Sequence, residues 1–239
     1  MRKKMGAACF VLTCVFVLSG CLYPQSKKVE KSVPVEEQVL AVQKAVDQFR
    51  EEQSGLLPIK NQDATVPYYQ KYPIDFNRLE KYLPEPPGNA YESGGVFQYV
   101  LIDVEDSPTV KLFDLRMASV LQEYNLRLSI YNQENEFPPF KEQLDTYVFT
   151  LDYEELGYEE MPVITSPYSQ TNLSVVVDAD LQLYIDYTPD LLEALENSES
   201  KFASGEDIRS VLTENSVFVP AFSLPYTLDE SNQPVFMTN

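Results

Sequence analysis

Val39, Val42, Val46 and Phe49 are spaced 3, 4, 3 along the chain, and Leu121, Tyr124, Leu128 and Tyr131 repeat that spacing. Residues three and four apart share one face of an α-helix, so each set makes a single apolar stripe that must be buried against a partner. The first stripe predicts a helix over 35–53, ended by Ser54-Gly55. It runs into Leu57-Pro58-Ile59-Lys60, much as the second runs into Phe137-Pro138-Pro139-Phe140-Lys141. The agreement continues in order. Ile74-Asp75-Phe76 with Leu79 is answered by Leu151-Asp152-Tyr153 with Leu156, and proline-tyrosine segments follow at 84–91 and 162–168. Then 100–105 faces 175–180, and Leu112-Phe113-Asp114-Leu115 faces Tyr184-Ile185-Asp186-Tyr187. The offset falls from 82 to 72 along the way, as changes in loop length require.

This pattern reads as an internal duplication of about 75–80 residues, each copy a helix, a proline-rich loop and a β-hairpin. Gly94-Gly95 precedes a strand over 96–104, and Asp106-Ser107-Pro108 turns it into a second over 109–115. The matching strands cover 173–177 and 181–187, joined at Asp178-Ala179-Asp180. The expected fold class is α+β: two tandem repeats with antiparallel sheet, 35–115 and 116–188, paired about a pseudo-twofold axis. A helix on two strands buries little alone, so the copies are expected to share a core. A C-terminal extension, 189–239, packs on them. In it Thr188-Pro189-Asp190 reads as N-cap, N1 proline and acidic first turn of a helix through Glu196. A short helix near 208–213 and a strand-like run over 216–222 follow, and the end from Leu228 is expected to fray.

The chain opens MRKKMGAACFVLTCVFVLSGC. Arg2, Lys3 and Lys4 precede an apolar run from Gly6 to Leu18, too short for a membrane span and of signal-peptide length. Leu18-Ser19-Gly20-Cys21 resembles the lipobox of bacterial lipoproteins. That resemblance implies that 1–20 is a cleaved lipoprotein signal peptide and that Cys21, carrying a diacylglyceryl group and a further acyl chain such as palmitate, becomes residue one. Cys9 and Cys14 leave with the signal, so the mature body has no disulfide and no thiolate metal site. Residues 21–34 are polar, with two prolines and no periodicity, and read as a tether. Lys27, Lys28 and Lys31 lie within it, able to touch an anionic bilayer or simply solvated.

Without Arg2, Lys3 and Lys4, 15 basic residues stand against 37 acidic ones, a net charge of −22. Such a body repels phosphates, and nucleic acid is excluded as a partner. The absence of histidine rules out Ser-His-Asp and Cys-His catalysis and ordinary zinc sites. No nucleotide-binding glycine motif is present, and no cofactor is implied.

Three features remain as candidate sites. Asp152 to Glu160, DYEELGYEE, is the densest carboxylate cluster; a paired-carboxylate hydrolase is one reading and the solvated face of a short amphipathic helix is the other. Asp103, Glu105 and Asp106, with Asp178 and Asp180, lie at the two hairpin turns, where they suit calcium or simply turn formation. The segments VPYYQKYPIDF (66–76) and KYLPEPPGNAYESGG (81–95) offer stiff, tyrosine-rich loops for binding, or rings that close over the core edge.

Finally, CLYPQS at the anchor, GLLPIK after the first helix and PGNAYESGGVFQYVLIDVE into the first hairpin resemble the YphF-type lipoproteins of Gram-positive spore formers. The resemblance implies a lipoprotein on the outer face of the cytoplasmic membrane and supplies no site residue beyond Cys21. The resulting expectation is a membrane-anchored, non-enzymatic module that binds an envelope protein or cell-wall component. A small-ligand or calcium-binding lipoprotein is the alternative, and an acid hydrolase a third.

Overall fold

The first apolar stripe folds as α1 (Val35–Glu52), with Val39, Val42, Ala45, Val46 and Phe49 buried. Glu36 and Glu37 in its first turn and Arg50 in its last complement the helix dipole. Ser54 and Gly55 take left-handed φ of 55° and 90°, and the Gly55 amide returns to the Arg50 carbonyl at 2.8 Å, which stops the helix. The computed structural model describes residues 33–60 and 62–237. Cys21, Lys27, Lys28 and Lys31 and the signal-like segment lie outside the described residues, so the anchor and tether expectations rest on sequence. Residues 35–239 make one compact unit.

Downstream of α1, Ile59 bridges Ile74 and Pro73 bridges Val100, both antiparallel. Asp75 caps α2 (Phe76–Leu79) by accepting from the Asn77 amide at 3.2 Å. The hairpin of β1 (Phe97–Ile102) and β2 (Thr109–Asp114) follows, with Val100 opposite Lys111. Asp114 then accepts from the Arg116 amide at 2.8 Å and opens α3 (Leu115–Glu134), whose buried stripe is Met117, Leu121, Tyr124 and Leu128.

After α3 come β3 (Phe140–Asp145) and β4 (Val148–Leu151), the small β5 (Ile164–Thr165) and β6 (Asn172–Leu173) hairpin, then β7 (Val175–Asp178) and β8 (Leu183–Ile185). The main sheet runs β3-β4-β7-β8, all antiparallel. Phe140 pairs with Leu151 and Thr150 with Val176. The bridges Ile59–Ile74 and Pro73–Val100 stand in the same order relative to β1 and β2. Helix α1 packs against β2, and α3 packs against β8. Asp186 accepts from the Thr188 amide at 2.9 Å just ahead of α4 (Thr188–Asn197), whose N-cap is Tyr187 and not the expected Thr188, so that Thr188 is the first helical residue and Pro189 the second.

The C-terminal portion holds a 3₁₀ turn at Ile208–Ser210, α5 (Val211–Glu214), and a hairpin of β9 (Tyr226–Leu228) and β10 (Pro234–Phe236). The expected fraying from Leu228 is therefore wrong. Phe236 is buried and its ring packs, tilted, on the fully buried Tyr226 ring at 4.8 Å, so this hairpin is tied down by apolar burial. The run over 216–222 forms no strand of its own. It is spread over two partners: the Leu112 amide donates to the Val217 carbonyl and the Val219 amide to the Leu112 carbonyl, both at 2.9 Å, while the Ile185 amide donates to the Phe222 carbonyl at 2.8 Å. One segment thus closes the open edges of both β2 and β8. Two large apolar clusters fill the interior, one around α1 and β1-β2, the other around α3, β7-β8 and α4, with a smaller one of Tyr69, Val100, Ile102, Phe113, Val219 and Ala221.

Candidate functional site

An open cleft of about 570 Å³ is bounded by Pro167 and Tyr168, α4, α5 and residues 215–218, with Glu36 of α1 at one side. Among the described residues, four carboxylates line it (Glu36, Asp190, Glu193 and Glu214) and no lysine or arginine does. The rest of the wall mixes apolar side chains, among them Val211, Leu212 and Phe218, with Asn197, Ser198, Asn215 and Ser216.

Asp190 sits deepest, 2% exposed. Ser166 Oγ donates to both its oxygens at 2.8 Å, and Ser169 Oγ donates to Oδ1 at 2.6 Å. Ser166 Oγ in turn accepts from the Tyr168 and Ser169 amides at 2.9 and 3.1 Å, so Asp190 fixes the 166–171 turn to the first turn of α4. Burial pushes the Asp190 carboxyl above its ordinary range, and the serine hydrogen bonds pull it part of the way back. Glu214 accepts from Ser198 Oγ at 3.3 Å and Ser200 Oγ at 2.7 Å. The Glu36 and Glu193 side chains have no protein partner among the described residues, so the uncommitted negative charge of the cleft is theirs. The Tyr168 ring meets Tyr187 edge-on at 6.0 Å, and its buried hydroxyl lacks a partner.

The carboxylate clusters expected from sequence lie elsewhere. Residues 153–157 form a turn and not a helix: Asp152 Oδ1 accepts from the Glu154 amide at 3.1 Å, and Gly157 takes a φ of 76° that ends the segment. Glu154, Glu155, Glu159 and Glu160 all face solvent. At the first hairpin turn Asp103 has a φ of 51° and accepts from Tyr68 Oη at 2.8 Å. At the second, Asp178 Oδ1 accepts from the Asp180 and Gln182 amides at 2.9 Å each. Both aspartates are spent on turn geometry, and among the described residues no three acidic side chains converge to hold a metal ion.

The tyrosine-rich segments divide. Tyr69 is buried with the Arg209 guanidinium 5.1 Å over its ring, and Tyr82 packs edge-on to Phe49 while donating to Glu52 at 2.8 Å. Tyr68 and Tyr91 stay exposed. Asp190 is the residue that sequence reasoning placed correctly on its helix and misread in role, because a helix-start aspartate ordinarily faces solvent. The pair Ser166 and Ser169, three apart and followed by Asp190 on the next helix, is the signal that was available.

A second, shallower groove of about 470 Å³ runs along one flank of α3, between Glu123, Leu126, Ile130 and Glu134 on the helix and 155–157 on the turn. Arg127 crosses its floor. Its Nη2 lies 3.1 Å from Glu123, its Nη1 donates to the Leu156 and Gly157 carbonyls at 3.2 and 2.8 Å, and its guanidinium covers Tyr158 at 3.9 Å. Tyr131 Oη donates to Glu155 at 2.7 Å.

Among known families, the YphF family N-terminal domain matches residues 35–114, the span from the start of α1 to the aspartate that caps α3. No curated protein and no solved structure matches the chain.

Proposed function

We propose that this chain is a lipid-anchored, non-enzymatic interaction module held through Cys21 on the outer face of the cytoplasmic membrane, where it binds an envelope protein or cell-wall component. The observation that carries the binding reading is the acidic cleft: carboxylates set among apolar side chains such as Val211, Leu212 and Phe218 suit a partner that presents a cationic group on an aliphatic stem. The sequence around Cys21 supports the anchor. The body is proposed to be two copies of one unit about a pseudo-twofold axis. The matched order of bridges and strands, the bonds of Asp114 and Asp186 to an amide two residues on, and the approach of 217–222 to both β2 and β8 all support that arrangement.

The test is a thermal melt of the full-length chain in detergent with lysine-containing wall fragments, spermidine, calcium and EDTA. Saturation at a hundred times the dissociation constant raises stability by about 2.7 kcal/mol. A shift with the cationic additives that Glu36→Gln with Glu193→Gln removes is the expected result. No shift with any cationic additive, or one that the double variant retains, rejects the cleft as the binding site. Anchoring is read separately: an alkyne palmitate analogue labels the wild type in cells and not Cys21→Ala.

A second reading, an acid hydrolase, is favoured by the buried Asp190 beside Glu193 in one cleft. Release of reducing ends from wall glycan that Asp190→Asn abolishes would establish it in place of the binding reading.

A further inference from the structure

On the flank of α3 that borders the shallower groove, Leu126 and Ile130 are 62% and 50% exposed, one helical turn apart. Single exposed apolar residues are ordinary, but two at this spacing lining a concavity are not. The molecule contains its own comparison. Aligning the stripe of α1 (Val39, Val42, Val46, Phe49) on that of α3 (Leu121, Tyr124, Leu128, Tyr131) sets Lys44 and Gln48, both exposed, opposite Leu126 and Ile130. A helix carrying the same core stripe in this chain thus holds polar residues where α3 holds leucine and isoleucine. The core face of α3 is already filled by Met117, Leu121, Tyr124 and Leu128, so neither residue serves the interior.

The charge around the groove narrows what can cover it. Glu123, Glu134 and Glu155 rim it, and the one cation that lines it among the described residues, Arg127, is engaged by Glu123, two backbone carbonyls and the Tyr158 ring. An anionic bilayer is repelled by that rim, and so is a second copy of a chain whose net charge is −19. From Glu123 to Glu134 the flank is about 16 Å long, the length of some three helical turns.

We propose that this flank of α3 is a docking surface for a basic amphipathic helix of a protein partner. In this mode apolar side chains at i and i+3 or i+4 spacing seat against Leu126 and Ile130, and flanking lysines or arginines meet Glu123, Glu134 and Glu155. It shares with the reading above only the expectation of a protein partner, and it uses a different face from the acidic cleft.

The probe is a fluorescent helical peptide of leucine and lysine, about 18 residues long, titrated by anisotropy into the full-length chain in detergent. The controls are polylysine of equal charge and a leucine-glutamate peptide of the same pattern. The peptide is expected to bind, and Leu126→Gln with Ile130→Gln to weaken it on the order of tenfold without moving the melting midpoint. Glu134→Gln with Glu155→Gln is expected to weaken it and flatten its salt dependence, and the loss caused by Leu126→Gln with Ile130→Gln is expected to be the same in a chain that also carries Glu36→Gln and Glu193→Gln. No binding overturns the proposal, as does equal binding by the Leu126/Ile130 variant, by polylysine or by the acidic peptide. If sedimentation instead shows a dimer that the Leu126/Ile130 variant dissociates, the face belongs to a second copy. If anionic vesicles bind and the variant releases them, it belongs to the membrane.

Discussion

Gly95 and Asp190 show how much single positions decide here. A Cβ on Gly95 would lie 2.1 Å from the Asn89 carbonyl oxygen and 2.7 Å from its Cα, both backbone atoms. That contact holds the 89–97 loop closed, with Asn89 Oδ1 accepting from the fully buried Tyr99 hydroxyl at 2.7 Å, a phenol that burial pushes up to about 12. Gly95→Ala is therefore expected to cost about 2 kcal/mol or more, read as a lower denaturation midpoint; a change within experimental error would show that the loop relaxes freely. For Asp190 the sign runs opposite to that of a salt-bridged carboxylate. Its folded pKa is raised, so the folded state binds more protons than the unfolded one from about pH 4, the ordinary aspartate value, up to the raised value. Its contribution to stability falls as pH rises through that window. The stability of wild type minus that of Asp190→Asn should be greatest below about pH 4 and decline as pH rises. Denaturation series at several pH values check this, and a constant or rising difference would rule it out.

Among the elements, the two long helices were legible because a 3, 4, 3 stripe is a local signal that only a helix satisfies. The aspartates at 75, 114 and 186 were visible as repeated residues, and the structure gives each the same use, accepting from an amide two residues on. Of the three, Asp186 is the one whose side chain also bonds a segment distant in sequence. Its Oδ1 also accepts from Tyr226 Oη at 3.0 Å, and that hydroxyl accepts from the Tyr187 amide at 3.0 Å, joining α4 to the C-terminal hairpin. Asp186→Ala removes the acceptor of both the Thr188 amide and the buried Tyr226 hydroxyl, so its expected cost is about 2–3 kcal/mol, above the ~1 kcal/mol of a cap alone. Thermal midpoints of this variant and of Asp75→Ala compare the two. The hairpin β3-β4 was missed, because Pro138-Pro139 and the polar run after Phe140 hide a bulged edge strand with most of its residues in solvent. The helix expected over 152–160 failed for a local reason as well: Gly157 in the left-handed region allows one turn and no more.

For the molecule as a whole, the segment 217–222 joins what the sequence presents as separate parts. It hydrogen-bonds to β2 and β8, and Phe218 meets Phe97 at 5.5 Å while Phe222 meets Phe113 edge-on at the same distance. Lys111 of β2 reaches the same region, its ammonium donating to the Thr213 and Ser216 carbonyls at 2.7 and 2.5 Å. Truncation after Glu214 should therefore destabilise the distant hairpin β1-β2, seen as faster hydrogen exchange of the Leu112 amide. Unchanged protection there would mean that residues 35–114 are self-sufficient.

Read alone, the chain settles its α+β class, its two stripe-bearing helices and the hairpins β1-β2 and β7-β8. Each depends on residues within a few positions of one another, where period and side-chain chemistry suffice. Tertiary structure decided the rest: that 217–222 closes two sheet edges, that Asp190 is buried under two serines, that four carboxylates from distant segments share a cleft, and that Leu126 and Ile130 are left uncovered. These are contacts between residues far apart in the chain, set by how apolar faces pack, and no local pattern encodes which distant partner a face will meet.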